Sequence, residues 1–149
     1  MSTSCAAAIC VLPPIMFGKQ GVLLVEQPVG NWFTYTTSDG GLTWADPLAI
    51  PVREPLTSDI WPGVQDPSNW WIVDGTGALH RTVDGGKNWQ SVISALPRGY
   101  TLDSVTPAGG NVLWGTAVSG ASGAAHLDYP VRSTDGGATW SVVKLPAPG

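Results

Sequence analysis

Thr82-Val83-Asp84-Gly85-Gly86-Lys87-Asn88-Trp89 is written three times in this chain. It occurs upstream as Thr37-Ser38-Asp39-Gly40-Gly41-Leu42-Thr43-Trp44 and downstream as Ser133-Thr134-Asp135-Gly136-Gly137-Ala138-Thr139-Trp140. The shared pattern is Ser/Thr, any residue, Asp, Gly, Gly, any residue, Thr/Asn, Trp. The aspartates stand 45 and 51 residues apart. That spacing marks a repeat unit which cannot bury its apolar face alone and must stack on its neighbours. Asp-Gly-Gly between two extended stretches is a turn with a physical cause. The carboxylate accepts hydrogen bonds from N–H groups of the turn, and the glycines take φ values that cost a residue with a side chain about 1–2 kcal/mol. The Ser/Thr bonds across the turn, and the Trp folds back over the hairpin to bury on the order of 200 Å². Three equivalent copies cannot all line one active site. The motif therefore reads as a structural clamp made of Thr37, Asp39, Gly41, Thr43 and Trp44, then Thr82, Asp84, Gly86, Asn88 and Trp89, then Ser133, Asp135, Gly137, Thr139 and Trp140.

The sequence around each clamp reads as strand. The middle repeat is the most regular and serves as template. Ser58 to Val64 opens it, Asp66-Pro67-Ser68-Asn69 turns, and Trp70 to Asp74 is a second strand. Gly75-Thr76-Gly77 makes a hairpin into Ala78 to Thr82, and Trp89 to Ile93 closes the unit. In the first repeat the four strands are Ala6 to Leu12, Gly21 to Glu26, Asn31 to Thr36 and Trp44 to Ile50, with Pro13-Pro14 ending the first. In the third they are Thr101 to Val105, Asn111 to Gly115, Val131 to Ser133 and Trp140 to Leu145. An inserted loop, Thr116 to Pro130, is expected before the third of these. The result is an all-β chain of four-stranded antiparallel units at about 1–53, 54–98 and 99–149, in one module.

Composition agrees. Charged residues are 12%, about half the usual share, while Gly 19, Pro 13 and Trp 8 suit short strands and tight turns. The net charge of −4 and seven scattered Lys and Arg exclude a stripe that could neutralise consecutive phosphates, so nucleic acid is not an expected partner. No apolar run reaches the ~18 residues of a membrane span. Residues 5 to 17 are apolar but lack a positive leader and carry two prolines, so no signal peptide is read there. Cys5 and Cys10 point to opposite faces of an extended strand and read as buried thiols or, given a bend, a disulfide. Without a histidine nearby they make no zinc site. No cofactor is expected.

The pattern Ser/Thr-X-Asp-X-Gly-X-Thr-Trp resembles the Asp-box, or bacterial neuraminidase repeat. That repeat occurs in sialidases, xyloglucan-cleaving glycosidases, sortilin-type receptors and the propeller assembly factors of photosystem II. The match covers all three copies and departs only at Asn88, where Thr is usual. The resemblance implies β-propeller blades, with each box in the turn between the third and fourth strands, on the outer part of the ring and away from the ligand face. It also favours an extracytoplasmic setting. It implies rings of about six to eight blades, so three blades make a half-propeller with two open faces. Either two copies pair by two-fold symmetry into a six-bladed ring, or the chain is part of a longer propeller.

A sialidase would need three converging arginines, a Tyr nucleophile with its Glu, and an Asp acid/base. Arg53, Arg81, Arg98 and Arg132 are the only arginines, and repeat geometry explains Arg81 and Arg132, each of which precedes its box. No catalytic residue is assigned. Asp59, Asp74, Asp103 and Asp128 lie outside the boxes and read as turn or surface aspartates, with nothing in their spacing to pair two of them. The chain is expected to be a scaffold or recognition module. The alternative is a carbohydrate-binding or carbohydrate-cleaving propeller, for which Trp61 and Trp70 are stacking candidates and His126, Asp128 and Tyr129 of the inserted loop are ligand candidates. Trp71 and Trp114, at equivalent second-strand positions, are expected in the core, and His80 reads as an ordinary strand residue.

Overall fold

The structure, a computed structural model, describes residues 9–27, 31–51, 62–120 and 127–147. Among the described residues are thirteen strands and no helix, in three antiparallel sheets. The first sheet holds β1 (Cys10–Val11), β2 (Ile15–Phe17), β3 (Gln20–Gln27), β4 (Asn31–Thr37) and β5 (Leu48–Ala49). Both β1 and β2 pair with β3, so Pro13-Pro14 splits one edge strand in two, and the sheet keeps four strand positions. The second sheet is β6 (Gly63–Val64), β7 (Trp70–Val73), β8 (Leu79–Thr82) and β9 (Gln90–Val92). The third is β10 (Tyr100–Gly109), β11 (Val112–Ser119), β12 (Leu127–Ser133) and β13 (Ser141–Val142). Each of the last two follows the chain order across the sheet.

Three local expectations are corrected. The strands after the boxes are shorter than Trp44 to Ile50 and Trp140 to Leu145 suggested, because only two residues of each pair with the third strand. The connection Thr116 to Pro130 is not an irregular loop. Thr116 to Ser119 pair with Pro130 to Leu127, so the insertion lengthens a hairpin. The opening strand of that sheet runs on through Pro107 to Gly109, a proline tolerated because β10 is an edge. The expected stretches 1–8 and 52–61, with Cys5, lie outside the described residues, as does the side chain of Cys10.

Strand alternation sends successive side chains to opposite faces. Val22, Leu24, Trp32 and Ile50 of the first sheet meet Trp70 and Ile72 of the second in one apolar cluster. Trp71, Val73 and Leu79 of the second meet Leu102, Leu113, Ala117 and Val131 of the third in another. The middle sheet is covered on both sides, which is why Trp70 to Val73 are all buried. At the inner edge β6 approaches β10 closely: a Cβ on Gly63 would lie 2.8 Å from Val105 O.

Candidate functional site

The three boxes share one geometry. Thr37 Oγ1 donates to Asp39 Oδ1 at 2.8 Å and accepts Gly41 N–H at 3.0 Å. Thr43 N–H donates to Asp39 Oδ1 at 3.0 Å, and the Thr43 hydroxyl donates to Oδ2. The same contacts recur around Asp84 and Asp135, with Asn88 Nδ2 donating to Asp84 Oδ2 at 2.7 Å in place of a threonine hydroxyl. The first glycine of each box donates its N–H to a carbonyl just before the second strand: Lys19, Ser68 and Asn111 at 2.8, 3.1 and 2.9 Å. Each box thus ties one turn of its sheet to another. Hydrogen bonds from the side chain and then the backbone of Thr43, Asn88 and Thr139 lower the three carboxyls to about 2. Such groups are ionised at neutral pH and hold no proton to give as a general acid.

The boxes also join neighbouring sheets. Gly137, at φ +98°, lies where a Cβ would collide with Leu79 of the second sheet. Gly86 lies likewise against the first sheet, 3.0 Å from Thr34 Oγ1 for a Cβ in that place. Between the second and third sheets Ser94 Oγ donates to Gly137 O at 2.7 Å, and Ala95 exchanges backbone bonds with Ala138 and Trp140.

Trp70 is fully buried, with its Nε1 donating to Pro67 O at 3.0 Å and its ring edge-on to Trp89. It is therefore not open for stacking on a sugar ring, because Val22, Leu24 and Trp32 of the first sheet pack in one cluster with it. Trp61 and His126 lie outside the described residues. Asp128 and Tyr129 stand in β12 rather than a loop. Asp128 is exposed, and Tyr129 packs edge-on against Tyr100 at 5.2 Å. Asp128 and Tyr129 are not brought together with Trp70.

Trp71 and Trp114 occupy one register position, opposite Arg81 and Arg132. Arg81 stacks over Trp71 at 4.9 Å and Arg132 over Trp114 at 5.9 Å. Trp71 is 0% exposed and Trp114 is 40% exposed, so the second is not the core residue expected. The third sheet covers Trp71, and no described residue covers the corresponding face of the third sheet. At the other end Val11 and Met16 of the first sheet are also exposed.

One constellation was missed in the sequence. Asp74 directly follows β7, and its Oδ1 accepts from Thr76 N, Thr76 Oγ1 and Ala78 N, closing the hairpin. Its Oδ2 lies 2.8 Å from His80 Nε2, and His80 Nδ1 lies 3.4 Å from Ser91 Oγ. Burial raises the Asp74 carboxyl, but hydrogen bonds from Thr76, His80 and Ala78 together hold it below its ordinary value. With Pro51 and Trp89 these three residues line a cavity of 390 Å³. The signal was present: pairing the strands on either side of the middle box places Ser91 opposite His80.

The BNR/Asp-box repeat family matches residues 131–142, which contain the third box. Among the solved structures that resemble the chain are YCF48 bound to D1 peptide, at 20% identity and TM-score 0.55, and YCF48 from Cyanidioschyzon merolae, at 21% and 0.52. Each alignment covers 91% of this chain but only 42% and 40% of the other, so the chain spans less than half the length of the structures it matches. No curated protein matches it in sequence. The likeness is one of fold: the three sheets are arranged as blades of a β-propeller, and the third box matches the Asp-box repeat.

Proposed function

We propose that this part-propeller is a structural and recognition module that closes a ring with a second copy of itself. The observation that carries the reading is the half-exposed Trp114 beneath Arg132, the counterpart of a Trp71 that a neighbouring blade buries completely beneath a half-buried Arg81. A blade presented to Trp114 would need the box face that the third blade presents to Trp71. The first blade carries such a face, with Thr37, Leu23, Phe33 and Tyr35 on one side of β3 and β4. Its contact with Trp114 of another copy is head-to-tail, and two such contacts related by a two-fold axis close without a free face. Peptide is the ligand class we favour for the finished ring, on the ground that a YCF48 structure of this fold holds a D1 peptide.

Light scattering on the purified chain tests this. The expected mass is twice 15.5 kDa. A mass near 15.5 kDa across the micromolar range rejects self-closure and leaves the remainder of a longer propeller as the covering partner.

A further inference from the structure

The middle blade departs from its neighbours at three positions that face one cavity. Val22, Trp71 and Trp114 share a register position, each opposite the residue that precedes its box. Three residues further on, the first blade has Val25, the third has Ala117 and the middle has Asp74. By the same register His80 corresponds to Tyr35 and Val131, and Ser91 opposite His80 corresponds to Val142 opposite Val131. Ala117 and Val131 are fully buried there and Val25 nearly so, while Tyr35 and Val142 are half-buried, so no counterpart carries a charged or imidazole group. The middle blade puts a carboxylate, an imidazole and a hydroxyl there instead. The tight hairpin explains Asp74, but it does not call for His80 or Ser91.

We propose that Ser91 is a base-assisted nucleophile that reacts with small activated carboxylic esters. The side chains of Asp74 and His80 are 10% and 15% exposed, whereas Ser91 is open to solvent at the mouth of the 390 Å³ cavity. An ionised carboxylate only accepts, so the hydrogen bond to Asp74 Oδ2 places the imidazole proton on Nε2. Nδ1 is then left with a lone pair facing the Ser91 hydroxyl at 3.4 Å, a loose contact of the kind that tightens when substrate binds. Asp74 is itself held by three donors of its own turn, so the imidazole has a fixed anchor. Trp89 and Pro51 give the cavity apolar walls suited to a small acyl or aryl group.

The step balances without a cofactor. Ser91 Oγ bonds to the ester carbonyl carbon as its proton passes to His80 Nδ1. The carbon–oxygen bond to the leaving group then breaks, and that proton leaves with the alcohol. Water, deprotonated by the same nitrogen, releases the acid and restores the serine. The cavity is built within the first two blades, so its test stands whatever mass the assembly has.

The test treats the full chain with a fluorophosphonate and maps the adduct by peptide mass spectrometry. The expected result is one phosphonyl group, on Ser91, formed with loss of fluoride. Ser91→Ala, at an exposed position that folding tolerates, abolishes it. His80→Gln slows it by roughly 10²- to 10⁴-fold, the usual contribution of a positioned base. A second measurement is a burst of p-nitrophenolate from p-nitrophenyl acetate, stoichiometric with the chain and absent in Ser91→Ala. No adduct at Ser91, an adduct spread over several hydroxyls, or a His80→Gln chain that melts normally and reacts at the parent rate each overturns the proposal.

Discussion

Trp71 with Arg81 and Trp114 with Arg132 are the same pair in sequence, in register and in stacking, yet the first indole is sealed and the second half open. The difference lies outside both pairs. A third blade lies over the first pair, bringing Leu113, Val131 and Trp140 into its cluster, and no described residue does so for the second. A repeat therefore sets what a residue can do, and its neighbour sets what the residue contributes. The sharpest way to break the comparison is to truncate both indoles. Trp71→Ala removes a fully enclosed ring and is expected to destabilise the chain by about 3–5 kcal/mol. Trp114→Ala in the separated chain is expected to cost under about 1 kcal/mol, since much of its ring already faces water. Denaturant unfolding at low protein concentration reads both. In a closed ring the second substitution also weakens assembly, so its cost grows with protein concentration while that of Trp71→Ala does not. Equal costs at all concentrations would mean that the two faces are not counterparts.

The second glycine of each box offers the same comparison on the other face of a blade. Gly137 has φ +98° and meets Leu79 of the preceding blade, whereas Gly41 has φ +88° and only its own Trp44 nearby, at 3.6 Å from a Cβ. Alanine at either place takes on the left-handed strain of about 1–2 kcal/mol. Only Gly137→Ala adds a collision across a seam, bringing its expected cost to about 2–4 kcal/mol. If Gly41→Ala proves as damaging as Gly137→Ala at low concentration, the first box already has a neighbour beyond the described residues. The measurement is the shift in unfolding midpoint at constant slope.

Much of this was readable beforehand for a local reason. Turn chemistry is decided within a few residues, so the three boxes and the strands β3, β4 and β7 lie close to where hydrophobic patterning and Asp-Gly-Gly put them. The strands after the boxes were read too long because the chain leaves the sheet to bond elsewhere, as Trp140 N–H does to Ala95 O of the preceding segment. The Gly/Ala/Ser-rich insertion looked like a loop, since composition does not report that Thr116 to Ser119 find partners in Leu127 to Pro130. Trp70 and Trp114 were misjudged in opposite directions, and both errors concern cover by a second sheet, which one strand's sequence does not contain. The Asp74–His80–Ser91 cluster needed strand register before its members could be seen as neighbours.

The smallest expected difference between covered and open blades is in the box aspartates. Among the described residues the Asp39 box has no other blade against its second glycine, whereas the Asp135 box lies at a packed seam, yet both carboxyls, like Asp84, are lowered from 3.8 to about 2 by hydrogen bonds from their own turns. A carboxyl lowered on folding binds its proton more readily in the unfolded chain. Its stabilising contribution is therefore complete above about 4 and is lost as pH falls through about 2. Asn at each position retains an acceptor for the turn N–H and removes the titration. Asp39→Asn, Asp84→Asn and Asp135→Asn are each expected to flatten the fall in unfolding midpoint between pH 4 and pH 2 by a similar, modest amount, because exposed carboxylates are screened by solvent. If Asp135→Asn flattened the curve and Asp39→Asn did not, the neighbouring blade rather than the turn would be setting the acidity, and the clamp would belong to the seam instead of to each box.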